Sequence, residues 1–282
     1  MITKSYAKIN LSLQITGKRE DGYHLLDMIN LPLALHDILE FVPLPFSKET
    51  YIICDDPGLS KLKHNLCQKA FGLLKEKYGF TQNFVIKIHK EIPFAAGLGG
   101  GSSNAATVLL GINKILHLGA SLEELSDIGL KIGADVPFFL RNQPMEVSGI
   151  GEIMNPIPVK KNFEILIVKP QQGLSTKDVY DVCDSFPRTA IDTALVKEGL
   201  AEHDESKIAR GIGNDLMAPA ESLLPEIGEI YGLLRREGFE IVSMSGSGSS
   251  CFALSTNAGL CKEAFHKFDK MGYIVRLTKI LC

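Results

Sequence analysis

The chain has 282 residues, with 30 Lys and Arg against 33 Asp and Glu and a net charge of −3. That length suits one large domain or two modest ones. The lack of a basic excess argues against nucleic acid as a partner. Charges interrupt every apolar run before bilayer length, so no membrane partner is expected, and the segment from Met1 to Lys8 is too polar for a secretion signal. Cys54, Cys67, Cys183, Cys251, Cys261 and Cys282 form no C-x-x-C pair, and there is no H-E-x-x-H. They read as thiols in a reducing cytoplasm, and no structural zinc site is expected.

In chain order, the first element is a strand. Ile9, Leu11, Leu13 and Ile15 alternate with Lys8, Asn10, Ser12 and Gln14. A polar turn follows at Gly17 to Gly22. The stretch from Pro43 to Leu62 carries no functional signal. Leu66, Ala70, Leu73, Leu74 and Tyr78 recur at helical spacing and predict a helix over Asn65 to Tyr78. Phe84, Ile86, Ile88 and Ile92 predict a strand from Phe84 to Ile92. A glycine-rich loop comes next, then a helix over Asn104 to Leu116. Ser121 and Glu124 form a capping-box pattern that opens a helix ending near Gly133. Pro137 biases Val136 away from helix.

The remainder predicts a strand from Glu164 to Val168 and helices over Asp192 to Arg210 and Pro225 to Glu237. A strand at Ile241 to Met244, a Gly/Ser turn and a strand at Cys251 to Leu254 follow. A helix from Leu260 to Met271 and a strand from Tyr273 to Thr278 close the chain. Strands and helices in this order suggest an α+β sandwich. The clustered prolines and lysines from Pro156 to Asn162 mark a boundary between domains at 1–157 and 158–282.

Three polar, glycine-marked segments stand out. One is Lys8-Ile9-Asn10 with Asp21-Gly22-Tyr23-His24. The second is Pro93-Phe94-Ala95-Ala96-Gly97-Leu98-Gly99-Gly100-Gly101-Ser102-Ser103. Glycine lets backbone approach a ligand closely, and the helix that follows turns unpaired N–H groups toward the loop, which suits phosphate. The loop is neither a Walker sequence nor a clean G-x-G-x-x-G. The third is Ser245-Gly246-Ser247-Gly248-Ser249-Ser250, which alone could be a hairpin turn.

Together, in this order and at these separations, the three segments resemble the motifs of the GHMP kinase superfamily. The resemblance implies a two-domain α+β fold, with an N-terminal half like domain 2 of ribosomal protein S5 and a C-terminal ferredoxin-like α/β sandwich. It places the active site in the cleft between the halves. Further residues resemble one branch of the family: Gly17-Lys18-Arg19-x-Asp21-Gly22-Tyr23-His24, Gly133-Ala134-Asp135-Val136-Pro137-Phe138, Gly149-Ile150-Gly151-Glu152, Asn214-Asp215, and Leu174-Ser175-Thr176 with Tyr180. For that branch the resemblance implies ATP and Mg²⁺ as cofactors. The acceptor is the 2-hydroxyl of a cytidine diphosphate-linked methylerythritol, on the non-mevalonate route to isoprenoid precursors. It implies a cytoplasmic enzyme, monomeric or weakly dimeric.

By the family pattern Asp135 is the base and Lys8 its partner. An aspartate with an unperturbed pKa of about 3.9 is a weak base toward an alcohol, so it orients the hydroxyl and takes the proton late. The loop from Pro93 to Ser103 holds the phosphates, and Ser102 or Ser103 is a candidate contact to Mg²⁺; the metal ligands stay open. Asn65 is a candidate for adenine or for a helix N-cap. Tyr23, His24 and Tyr180 are candidates for the cytosine, Asn10 for the acceptor, and the backbone of Ser245, Gly246, Ser247 and Gly248 for the ligand. Three readings compete. Another GHMP small-molecule kinase would lack Asp21 to His24. A silent nucleotide-binding protein would not need both Lys8 and Asp135. A nucleic-acid binder would show a basic stripe.

Overall fold

A computed structural model describes residues 1–56, 65–160 and 163–281. Residues 57–62 of the silent stretch, and 161 and 162 of the expected boundary, lie outside those described. The chain forms two compact units. One holds Met1–Ala7, Leu35–Ile92 and Gly99–Asn142; the other holds Lys8–Ala34, Pro93–Leu98 and Gln143–Cys282. Strands β1 (Ile2–Lys18) and β2 (His24–Leu44) supply residues to both.

In the first unit follow β3 (Tyr51–Cys54), α1 (Leu66–Tyr78), β4 (Asn83–His89), α2 (Gly100–Leu116), α3 (Leu122–Ile132) and α4 (Val136–Arg141). β4 pairs antiparallel with residues 38–44 of β2 and parallel with β3. Leu39, Phe41, Phe71, Phe84, Ile86, Leu109 and Phe138 are buried in its core. Asn65 caps α1, its Oδ1 accepting from Cys67 N–H at 2.9 Å. The Ser121–Glu124 capping box opens α3 as expected, with both reciprocal bonds present.

Three expectations in this unit need correction. The strand ends at His89 instead of Ile92, because the backbone N–H groups of Glu91 and Ile92 turn to Asp37 Oδ1 at 2.9 Å each. Val136 is helical, the first residue of α4. Pro137 sits in the first turn, where its missing N–H would have had no intrahelical partner. In addition, α2 begins at Gly100, four residues before the expected Asn104.

In the second unit follow β5 (Met145–Gly149), β6 (Ile153–Pro156), β7 (Glu164–Lys169), α5 (Thr176–Cys183), α6 (Thr193–Glu202), α7 (Glu205–Gly211), α8 (Met217–Leu223) and α9 (Glu226–Arg236). Then come β8 (Ile241–Met244), β9 (Cys251–Ser255), α10 (Ala258–Lys270) and β10 (Ile274–Lys279). Residues 26–30 of β2 pair with β5, and β5 with β6. The last four strands form a separate antiparallel sheet in the order β10-β7-β9-β8. With helices between β7 and β8 and between β9 and β10, this is the ferredoxin-like order 4-1-3-2.

The single helix expected over Asp192 to Arg210 is two helices. His203 takes a left-handed φ of 67° and ends α6, and Asp204 then caps α7 by accepting from Lys207 N–H at 3.1 Å. Apolar periodicity ran through the break because α6 and α7 fold back on each other and share one buried side, with Val196, Leu200 and Ile208 inside. Among the described residues, no helix is long and apolar enough to cross a membrane.

Candidate active site

In the second unit, β1 presents three buried polar side chains, Lys8 (4% exposed), Asn10 (2%) and Ser12 (0%). A buried ammonium requires an acceptor, and Lys8 Nζ donates to Asn10 Oδ1. The Asn10 amide is fixed in turn from β2: its Nδ2 donates to Asn30 Oδ1 at 2.6 Å. The polar face of β1 is therefore buried, and its hydrogen bonds aim Lys8.

The same strand holds the glycine loop. Lys8 N–H donates to the Leu98 carbonyl at 3.0 Å. Gly97 has φ 72°, and a Cβ there would overlap the Ser245 carbonyl oxygen. The Ser245 hydroxyl accepts from Asn10 N–H at 3.2 Å and donates to the Gly97 carbonyl at 2.9 Å. Asn214 completes the knot, its Nδ2 donating to the carbonyls of Met244 (2.7 Å) and Gly246 (2.9 Å). The turn from Ser245 to Ser250 is thus bound to the loop and to β1. Asn10, Gly97, Ser245 and Gly246 come together, while Ser245 is fully buried and spends its hydroxyl on structure. Ser247 Oγ lies 2.9 Å from Thr176 Oγ1.

In the first unit, Gly99 is the N-cap of α2, with φ 69° and no side-chain cap. The first N–H groups of this 17-residue helix thus receive no side-chain bond from the N-cap residue. Ser103 is buried and its hydroxyl lies 2.7 Å from that of Ser5, whereas Ser102 is half-buried and faces Gly133. Lys90 Nζ lies beside Gly100, 3.3 Å from where a Cβ would stand. Asp37, fully buried, pairs with Lys90 and accepts from Glu91 and Ile92 N–H. Asp135 is half-buried at the N-cap of α4, and its side chain makes no cap bond there. Lys8 and Asp135 belong to different units.

The cytosine candidates cluster in the second unit. The His24 and Tyr180 ring centroids are 5.3 Å apart, and Tyr23 next to His24 is 62% exposed. His24 Nε2 lies 2.8 Å from Asp184 Oδ1. Asp184 also pairs with Lys18 (2.5 Å) and Arg188 (3.1 Å). The Lys18 and His24 hydrogen bonds hold its carboxyl well below the usual range. Asn30, Asp37, Lys90 and Asp184 escape a sequence reading, since each is a single polar residue outside any glycine-marked segment.

Model profiles of the GHMP kinase N-terminal domain and C-terminal domain match residues 65–143 and 196–274. The class defined by this fold and these motifs is the GHMP kinase. Among curated proteins, 4-diphosphocytidyl-2-C-methyl-D-erythritol kinase of Thermoanaerobacter pseudethanolicus is 36% identical over 99% of this chain and 95% of its own. That of Acetivibrio thermocellus is 39% identical over 90% and 89%. A crystal structure of 4-(cytidine 5'-diphospho)-2C-methyl-D-erythritol kinase superposes with a TM-score of 0.83 at 30% identity, covering 99% of both chains. Homoserine kinase from Cytophaga hutchinsonii, at 18% identity and a TM-score of 0.76, shares the fold. The chain belongs to the family of 4-diphosphocytidyl-2-C-methyl-D-erythritol kinases within the GHMP kinases.

Proposed function

We propose that the protein transfers the γ-phosphoryl group of ATP to the 2-hydroxyl of 4-diphosphocytidyl-2-C-methyl-D-erythritol, giving the 2-phosphate and ADP. This is a step of the non-mevalonate route to isoprenoid precursors. The observation that carries the reading is the knot in which β1, with its buried Lys8 and Asn10, bonds both the glycine loop and the Ser245 turn. Phosphoryl transfer depends on positioning and charge stabilisation, and this knot supplies both.

The residues fit a bound nucleotide. The uncapped N-terminus of α2 and the N–H groups from Gly97 to Ser102 receive the phosphates, and Pro93 to Ala96 wall the nucleotide. Asn65, whose Oδ1 caps α1, contributes its amide nitrogen to adenine. Ser102 is the better hydroxyl for Mg²⁺, since that of Ser103 is buried against Ser5. When bound, the metal neutralises phosphate charge. Lys8 stabilises charge on the nucleophile and the moving phosphoryl group. Asp135 orients the acceptor hydroxyl and takes its proton as the oxygen bonds to phosphorus. Asn10 holds Lys8 and borders the acceptor. Tyr23 and Tyr180 sandwich the cytosine, and the backbone of His24 reads its edge, because the imidazole is committed to Asp184. Ser245 to Gly248 act through their backbone.

Residues 1–157 and 158–282 are taken as the two domains of a cytoplasmic monomer or weak dimer acting on a small molecule, with no nucleic acid partner. The test is ADP release with ATP and Mg²⁺ and three acceptors: the cytidine compound, mevalonate and homoserine. Turnover is expected only with the first, and Asp135→Asn should abolish it while ATP binding persists. ATP binding without turnover on any acceptor sinks the catalytic assignment of Lys8 and Asp135.

A further inference from the structure

At the start of β2 and the end of α5, three side chains of different chemistry converge. His24 Nε2 lies 3.6 Å from Cys183 Sγ and 2.8 Å from Asp184 Oδ1, and Cys183 Sγ lies 3.8 Å from Asp184 Oδ1. All three ligand atoms fall within 4.8 Å of one another. Zinc takes imidazole nitrogen at about 2.0–2.1 Å and thiolate sulfur at about 2.3 Å, which sets the edge of a tetrahedron near 3.5 Å. The two edges that involve sulfur already stand near that length. The third is a hydrogen bond and opens by about half an ångström once its proton leaves. The nitrogen–sulfur–oxygen set suits zinc and cobalt and does not suit Mg²⁺, which demands oxygen ligands. Cys183 and His24 are shielded from solvent, whereas the Asp184 side chain is 45% exposed and provides the way in.

We propose that His24, Cys183 and Asp184 form a three-ligand site for a thiophilic divalent cation, with a fourth position open to water, and that filling it blocks the cytosine contact. The second half rests on the function proposed above, in which the His24 backbone reads the cytosine edge and Tyr180, its ring 5.3 Å from the imidazole that would hold the metal, stacks on the base. Binding releases the Cys183 proton. Burial, and then the Asp184 charge, hold that thiol above its ordinary value, so affinity should rise with pH. Lys18 and Arg188 compete with the metal for the Asp184 carboxylate, which keeps the site reversible. A ligand pair 159 positions apart in sequence leaves no motif to read.

The experiment is a cobalt(II) titration of the purified full chain without Mg²⁺, followed by absorption. A thiolate-to-cobalt charge-transfer band saturating at one metal per chain is expected, and it should vanish in Cys183→Ser. No such band, or a band that survives in Cys183→Ser and so belongs to another thiol such as Cys54, overturns the site. If Cys183→Ser does not fold, the exposed Asp184→Asn takes its place and should weaken cobalt binding more than about tenfold; unchanged affinity again overturns the site. In the kinase assay, zinc should raise KM for the cytidine substrate and leave KM for ATP unchanged, with no effect on Cys183→Ser. An equal rise in both KM values overturns the competition with cytosine. A protein that binds cobalt but, freed of it and given ATP and Mg²⁺, turns over no acceptor leaves the site standing and removes the proposed function instead.

Discussion

The hydroxyl of Ser245 donates to the carbonyl of Gly97 across 148 positions of sequence, at 2.9 Å. It ties together two segments that read separately as a phosphate loop and a hairpin turn. Gly97→Ala would force a side chain into a left-handed φ, which costs roughly 1–2 kcal/mol, and also into the Ser245 carbonyl. The expected outcome is a lowered Tm with KM for ATP raised strongly. Ser245→Ala leaves the Asn10 N–H without its acceptor, at roughly 1–3 kcal/mol. Urea unfolding and steady-state kinetics on both variants check this, and an unchanged KM for ATP in Gly97→Ala counts against the loop as the nucleotide site.

Asn10 should matter through Lys8. Its Oδ1 accepts from the buried ammonium while its Nδ2 is anchored on Asn30. In Asn10→Ala the ammonium loses the Asn10 acceptor that helps to aim it. Small misplacements of a reacting group cost about 10²-fold in rate. A fall of that order in kcat is expected, with KM for ATP little changed. If kcat holds and only Tm falls, Asn10 is structural.

Asp37 holds the approach to the glycine loop from inside the first unit. It takes two backbone N–H groups and the Lys90 ammonium with no solvent exposure. Removing one partner of a buried ion pair costs roughly 3–5 kcal/mol. Asp37→Ala should therefore be among the more destabilising single changes in the chain, read as a lower midpoint in urea. A midpoint shift equivalent to less than about 1 kcal/mol would contradict the pairing.

Burial pushes the thiols of Cys67 and Cys251 from an ordinary 9.0 up to about 12. The folded state therefore keeps two protons that the unfolded chain gives up above pH 9.0. Their contribution is whole below that pH and is lost as pH rises toward about 12. Each thiol adds a downward slope of about 1.4 kcal/mol per pH unit in that window. Replacing either by Ala should flatten the alkaline limb of stability against pH. An unchanged slope in both variants would show that the thiols ionise alike in the folded and unfolded states.

Much of this protein was legible in its sequence because the signals were local. A Ser and a Glu three apart cap α3 wherever that helix lies, and glycines before an apolar run mark a loop feeding a helix. The β-α-β-β-α-β order of the C-terminal sheet also followed from short-range periodicity, and the three glycine-marked segments carried the resemblance to the family. Tertiary structure decided the rest. The middle of β2 is buried on both faces, with residues 28–33 all buried and Asn30 the one polar residue among them, so no alternation announces a strand. The break at His203 needed a left-handed residue and a second helix folding back on the first. Above all, the roles of Asn30, Asp37 and Ser245 arise from buried hydrogen bonds to partners 20 to 235 positions away. Sequence periodicity reports which side of an element is apolar. Only the packed chain reports which polar atoms are taken from water together, and burial without water is what forces them to pair.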